Sequence, residues 1–242
     1  MVVTGGASGI GTGIASVLAE AGGTVVIADI DLEKARHEAG LLTAAGHSAA
    51  AVRIDLSDEA SIVRGCAEIV GAHGAPWALV NNAGLQDREL LLEGTAAEWD
   101  RMNAVNGRGP FLMTREVGRA MVATGQGGRI VNIASTALIG SLIRGLAAYA
   151  GSKGAVLGLS RASAMELAEH AITVNTVLPG GVATPGAIGA RGPPAEGPAR
   201  RKPPLGMCEP RDIGAAVLFF VSPAARHVTN QVLAVDAGWS VS

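Results

Sequence analysis

Short runs of apolar, β-branched residues alternate along this chain with longer stretches whose apolar positions recur at helical spacing. The short runs, residues 2–3, 24–29, 50–54, 78–80, 130–135, 172–178 and 232–235, have the composition of buried strands. The longer stretches, residues 14–21, 32–45, 58–72, 98–123, 147–170 and 211–221, read as helices. Strands separated by helices of this size predict right-handed βαβ units. The expected fold class is therefore α/β, a doubly wound parallel seven-stranded sheet with helices on both faces. No repeat, low-complexity tract or linker interrupts the alternation, so residues 1–242 are expected to form one domain. Residues 185–204 break every pattern, with six prolines and four glycines.

Composition narrows the class. Apolar residues make up 48% of the 242 and charged ones 17%, which fits a chain with much buried sheet and buried subunit surface. A net charge of -2 argues against a nucleic-acid partner. No apolar run approaches the roughly 20 residues that span a bilayer, so no membrane partner is expected. The uncharged residues 1–19 lack the basic start of a signal peptide and are broken by glycines. Cys66 and Cys208 have no C-x-x-C spacing, which points to a reducing cytoplasm. His37, His47, His73, His170 and His227 show no ligand spacing, and no metal site is expected.

The first chemistry-bearing stretch follows the stub of strand one. Thr4, Gly5, Gly6, Ala7, Ser8, Gly9, Ile10 and Gly11 form a glycine-rich turn leading into a helix, where backbone can approach a pyrophosphate held at the helix N-terminus. The spacing is G-x-x-x-G-x-G, not the commoner G-x-G-x-x-G, and a glycine-rich turn is in isolation also an ordinary loop. Asp29 ends the second strand 18 positions after Gly11, about where a ribose-binding carboxylate belongs. It would accept from the ribose hydroxyls and repel a 2′-phosphate, and the nearest following cation is Lys34, so NAD is favoured over NADP. The alternative for Asp29 is a helix N-cap, a role open equally to Asp31.

The second stretch holds the only tyrosine. Tyr149 and Lys153 stand four residues apart, on one face of a helix. An exposed phenol ionises near about 10. An ammonium about 4 Å away at an effective dielectric of about 20 contributes roughly 4 kcal/mol toward ionising it. The alternative is a half-buried tyrosine beside a solvated lysine.

With Asn81, Asn82, Ala83 and Gly84 the motifs become specific, and over nearly its whole length the chain resembles the short-chain dehydrogenase/reductase family, with its Rossmann-type fold. The glycine turn resembles the family's cofactor turn, Asp55 its adenine contact, and Asn81 to Gly84 the segment lining the cofactor after strand four. Asn106 resembles the asparagine that holds a structural water, and Ser135 the active-site serine ending strand five. Tyr149 follows that serine by 14 residues, Lys153 completes the set, and residues 179–184 resemble the loop that holds the nicotinamide. The strand before Asn81 opens with Trp77 where the family usually has an acid, which is expected to change packing more than chemistry. Asn230 stands where glycine is common and is expected to be left-handed. The stub-like first strand suggests that the native chain begins earlier.

The resemblance implies a catalytic set of Asn106, Ser135, Tyr149 and Lys153. Tyr149 exchanges the proton, Lys153 lowers its pKa and binds the nicotinamide ribose, and Ser135 holds the substrate oxygen. It implies a cofactor site in four groups: Thr4, Gly5, Ser8, Gly9, Ile10 and Gly11; Asp29, Ile30, Asp55 and Leu56; Asn82, Ala83, Gly84, Tyr149 and Lys153; and Pro179, Gly180, Val182 and Thr184. Residues 185 to about 208 become a substrate lid, mobile without ligand. The basic lid residues Arg191, Arg200, Arg201 and Lys202 are expected to be a solvated charge run more than an anion subsite. Small residues on one face of helix 147–170, Ala150, Gly154, Gly158 and Ala162, suit a four-helix interface and a homotetramer.

The expected reaction is reversible, NAD-dependent interconversion of a secondary alcohol and a ketone. The alternatives are an NADPH-dependent 3-oxoacyl-thioester reductase, which Asp29 opposes, and a non-catalytic NAD-sensing regulator, which retention of Tyr149 and Lys153 opposes. Leu138, Ile139, Leu142, Ile143 and Ile188 are expected to line an aliphatic pocket suited to cyclic or aryl-alkyl ketones.

Overall fold

Successive residues of each strand point to opposite faces of the sheet, and the core divides accordingly. Val3, Val25 and Ile27 pack into one apolar cluster, while Val2, Val26 and Ala28 pack into another. The computed structural model describes residues 1–140 and 142–241. Its strands are β1 (Val2–Thr4), β2 (Val25–Asp29), β3 (Ala49–Arg53), β4 (Ala78–Asn81), β5 (Gly128–Ile133), β6 (Ile172–Pro179) and β7 (Val232–Val235). All pair in parallel, in the order β3-β2-β1-β4-β5-β6-β7. The order reverses between β1 and β4, and in an open α/β sheet the crevice outside such a reversal is where ligands bind.

The helices are α1 (Ile10–Glu20), α2 (Leu32–Ala44), α3 (Glu59–His73), α4 (Ala96–Asn103), α5 (Gly109–Thr124), α6 (Ala147–Leu167), a single turn α7 (Pro185–Ile188) and α8 (Pro210–Val221). On one face Ile14 and Leu18 of α1 meet Ile213, Val217 and Phe220 of α8. On the other, Ile62 and Ile69 of α3 meet Leu112, Met113 and Val117 of α5. Asp31 caps α2 by accepting from Lys34 N at 3.1 Å, Asp58 caps α3 through Ala60 N at 2.9 Å, and Thr95 caps α4 through Glu98 N at 3.2 Å. The N-cap alternative for Asp29 therefore falls away, because Asp31 holds that place.

The stretch expected as one helix over 98–123 is broken. A π-helical turn, Ala104–Arg108, separates α4 from α5 and carries the fully buried Asn106. Such a turn inserts an extra residue into the helix and redirects one side chain. Trp77 donates to Val221 O at 3.0 Å, and the Arg129 guanidinium lies 4.6 Å from its ring centroid. The aromatic face thus meets the charge of this buried arginine. Asn230 is left-handed, with φ 57°.

Candidate active site

A cavity of about 540 Å³ opens at the β1/β4 reversal. Its floor is fixed by Thr4, whose Oγ1 accepts from Asn82 N at 3.0 Å and Ala83 N at 3.2 Å. Asn82 Nδ2 answers by donating to Thr4 O at 3.0 Å and Gly5 O at 3.2 Å. The glycine turn and the segment after β4 are thus clipped together before any ligand arrives. Gly11 makes the turn possible: a Cβ there would stand 2.0 Å from Gly5 O.

This cradle fits a dinucleotide. The first turn of α1 begins at Gly9, with no side chain capping it; Gly11 N donates to Ser8 O at 3.1 Å, and the other N–H groups of the turn remain for an anion at the positive end of the helix. Asp29 lines the cavity, with Oδ2 accepting from Ala7 N at 3.2 Å and Oδ1 from Asp31 N at 3.1 Å. Those bonds lock the carboxylate against the turn and leave further lone pairs toward the cavity. Ile30, exposed beside it, offers an apolar edge. Asp55 also lines the cavity. Its Oδ1 accepts from Ser57 Oγ and N at 2.6 and 2.9 Å, and these bonds, with the Ser57 side chain the larger influence, hold its carboxyl below the usual range.

At the other end stand Ser135, Tyr149 and Lys153. Ser135 leaves β5 in an extended conformation and its Oγ accepts from Ala137 N at 3.1 Å, while the same hydroxyl hydrogen-bonds the Tyr149 phenol. It is both a turn cap and a site residue. Lys153 is 4% exposed, its Nζ donates to Ile133 O at 2.8 Å, and it lies 5.9 Å from the Tyr149 ring centroid. Burial pushes the Tyr149 phenol above its ordinary value, with Ser135 pulling the other way, and burial lowers Lys153 to about 8. The expected depression of the phenol by Lys153 is thus not a property of the bare protein. Both groups are enclosed, and desolvation disfavours each charged form.

Asn106 stands one layer behind the cavity wall. Its Oδ1 accepts from Leu85 N at 2.8 Å, and its Nδ2 donates to Leu85 O at 2.9 Å and Ser152 Oγ at 3.0 Å. Ser152 Oγ donates to Tyr149 O at 2.7 Å. Asn106 therefore braces the helix that carries the phenol, and Ser152 is a link that sequence reasoning missed.

The structure brings together every expected cofactor residue at the cavity wall except Gly11, whose missing side chain serves turn closure instead. The expected aliphatic lining is corrected. Leu138, Ile139, Leu142, Ile143 and Ile188 do not line the cavity; Ile143 packs behind Tyr149, and Ile139, Leu142 and Ile188 are exposed. Leu138, in the 3-10 turn after Ser135, packs against Ala134, Val156 and Leu178, and Ile188 ends the single turn of α7 with its side chain exposed. Leu85, Gln86, Asp87, Gly189 and Ala190 stand there instead. Of the basic residues in 185–208, Arg191 pairs with Asp87 at 2.9 Å while its side chain stays 73% exposed, and the exposed Arg201 lies 4.4 Å from the Trp239 ring centroid, so these two charges are solvated and also partnered.

An anion-ready helix end, a cavity-lining carboxylate and a Ser–Tyr–Lys set at the reversal of a parallel sheet fit a nicotinamide-dependent oxidoreductase. A family model described as enoyl-(acyl carrier protein) reductase matches residues 5–240. The chain belongs to the short-chain dehydrogenase/reductase family, and acts on CH–OH groups. It is 37% identical over 243 residues to a 2,5-dichloro-2,5-cyclohexadiene-1,4-diol dehydrogenase of Sphingobium indicum, covering 99% of this chain and 95% of that one. It is 35% identical to a sorbitol dehydrogenase of Cereibacter sphaeroides, covering 98% of this chain and 95% of the relative. A solved 3-ketoacyl-(acyl-carrier-protein) reductase of Brucella melitensis, complexed with NADH, superposes with a TM-score of 0.88 at 34% identity, covering 99% of this chain and 97% of that one. Among the described residues no helix is long and apolar enough to cross a membrane.

Proposed function

We propose that this protein uses NAD to interconvert an uncharged secondary alcohol and its ketone, with Tyr149 exchanging the proton. The observation carrying the cofactor choice is Asp29, a cavity carboxylate tied to the glycine turn at Ala7, where a 2′-phosphate would meet like charge. When bound, the nicotinamide supplies the acceptor for the hydride leaving the carbinol carbon. The remaining work falls to the chain. Ser135 holds the substrate oxygen, Tyr149 as the phenolate takes the hydroxyl proton in oxidation and as the phenol gives one back in reduction, and Lys153 keeps two N–H groups for the ribose beyond the one given to Ile133. Asn106 sets the position of the Tyr149 helix and holds the water that connects Lys153 to solvent.

The wall supports the substrate class. Among the described lining residues Tyr149 is the only aromatic, and Leu85, Val182 and Pro185 leave a modest apolar space beside Gln86. The named activity of the diol dehydrogenase relative agrees with a cyclic alcohol. Residues 185–208 form the lid, and residues 1–242 act as one domain. Open space at Gly158 and the exposure of Phe111 and Met165 support assembly through α5 and α6 into a homotetramer. The free thiols Cys66 and Cys208 suit a reducing cytoplasm. A second reading, reduction of a 3-oxoacyl thioester with NADPH, has the acyl-carrier-protein wording of the family model and of one solved relative behind it and Asp29 against it.

A screen of secondary alcohols with NAD and NADP, followed by absorbance of the reduced cofactor, tests the reading. Turnover of cyclic alcohols with NAD is expected. A preference for NADPH with acyl thioesters would replace it with the second reading.

A further inference from the structure

Two segments distant in sequence are fastened across the cavity mouth. Asp87 lines the cavity, and its side chain is 17% exposed. Its Oδ1 accepts from Arg191 N at 2.8 Å, and its Oδ2 accepts from Arg191 Nη2 at 2.9 Å and Nε at 3.3 Å. Arg101 Nη2 donates to the same Oδ2 at 2.5 Å, and Arg101 is itself gripped by Glu98 through bonds of 2.6 and 2.9 Å. Burial alone would raise the Asp87 pKa, yet Arg191 and then Arg101 hold it below the usual carboxylate range.

The next residue repeats the grip through backbone. Arg88 N donates to Arg191 O at 2.8 Å, Arg88 Nε to Pro193 O at 2.9 Å, and Arg88 Nη2 to Ala190 O at 3.1 Å. Gly192 adopts φ +111°, and a Cβ there would stand 1.9 Å from Arg88 O. The chain turns at this point so that its backbone lies directly on Arg88. An isolated surface ion pair contributes little, but this one joins a mostly buried carboxylate, a second arginine and three backbone carbonyls.

Arg191 does not line the cavity, whereas its neighbours Gly189 and Ala190 do. Its charge therefore serves the fastening and not the substrate. We propose that Asp87 is a positioning residue that latches the lid at Arg191 over the bound alcohol, and that opening of this latch gates substrate entry and product release. Arg101 acts through Asp87, holding it ionised and in place. The mouth then presents no unpaired guanidinium from Arg88, Arg101 or Arg191, which suits an uncharged substrate. The kinetic consequence rests on the function proposed above; the fastening of the lid does not.

The test uses the full-length protein and the variants Asp87→Asn, Arg191→Gln and Arg191→Lys. Trypsin cleavage after Arg200 and Arg201 reads lid opening without any need for activity, and Asp87→Asn is expected to raise its rate about fivefold. With an alcohol turned over by the wild type, Asp87→Asn and Arg191→Gln are expected to raise KM about tenfold while kcat moves less than about twofold, and Arg191→Lys to restore part of the loss. High salt should raise the wild-type KM toward that of Arg191→Gln and leave the variant unmoved. Unchanged proteolysis overturns the latch. So does a parallel fall of kcat, NAD affinity and melting temperature, which marks a purely structural contact. If Asp87→Asn lowers KM for carboxylate-bearing alcohols only, Arg191 is a substrate ligand and the latch is wrong. Should the wild type oxidise no alcohol, the proposed function fails while the proteolysis arm still decides the latch.

Discussion

Asn132 of β5 donates to Ser160 Oγ of α6 at 2.8 Å, deep in the core, while its own Oδ1 accepts from Asn81 Nδ2 of β4 at the same distance. Ser160 Oγ donates in turn to Val156 O at 2.8 Å. This polar ladder ties two central strands to the helix that carries Tyr149 and Lys153 and fixes how that helix is rotated. Ser160→Ala strands Asn132 Nδ2 without an acceptor, and a buried unmatched donor costs about 1–3 kcal/mol. Urea denaturation should show that loss, together with a fall in activity larger than the same destabilisation causes at a site remote from α6.

Tyr149→Phe keeps the ring and removes the proton carrier. Turnover should fall about 10²–10⁴-fold, and NAD affinity by fluorescence quenching should stay nearly unchanged. Retained turnover would remove Tyr149 from the chemistry. Because the chain has one tyrosine, an ultraviolet titration follows this phenol alone. Without cofactor its midpoint should lie above the ordinary value, as its burial dictates. With NAD bound it should move down, and no movement would mean that the positive charges at the site do not activate it.

Lys153 provides a stability signature. Its folded pKa is lowered to about 8 from 10.5, so between those values the unfolded chain binds the proton and the folded one does not. Stability attributable to this group therefore rises with pH through that window and is at its lowest below about 8. Lys153→Met should be more stable than wild type at pH 7, by an amount on the order of 3 kcal/mol, and the difference should shrink by pH 9.5. Denaturation of both proteins at the two pH values measures it; a gap independent of pH would show that Lys153 is not desolvated.

Gly158 tests the assembly. A Cβ there meets nothing within 4 Å in the single chain, so Gly158→Phe leaves the protomer room to fold. Light scattering should show the wild type as a tetramer and the variant as a smaller species with unchanged circular dichroism. A variant that remains tetrameric would move the interface away from this face of α6.

Much of the fold was legible because burial on both faces turns each strand into a continuous apolar run, as in β6, where all eight residues are buried. The places of the glycine turn, Asp29 and the Tyr149–Lys153 pair on the cavity wall were legible because each is marked by a local spacing. The break at Asn106 was not, since a π-helical turn leaves helical composition intact. Nor was the cavity wall: Leu138 and Ile139 are close to Ser135 in sequence, but the turn after β5 points them elsewhere. Asp87 and Arg191 lie 104 residues apart, and no local pattern announces a contact made only when two loops fold over the same opening.

The reversal between β1 and β4 divides the cavity by position along the chain as well as by geometry. One wall, from Thr4 to Leu56, is a single uninterrupted piece of chain carried on β1, β2 and β3; Ser135, Tyr149, Lys153 and the lid come from later in the chain. On the function proposed above, Asp29, which would set the choice of cofactor, and Ser135 and Tyr149, which would face the substrate, are therefore written on separate stretches of the gene. On that reading, an exchange of the first quarter of the chain between relatives should retune cofactor choice and leave substrate choice in place.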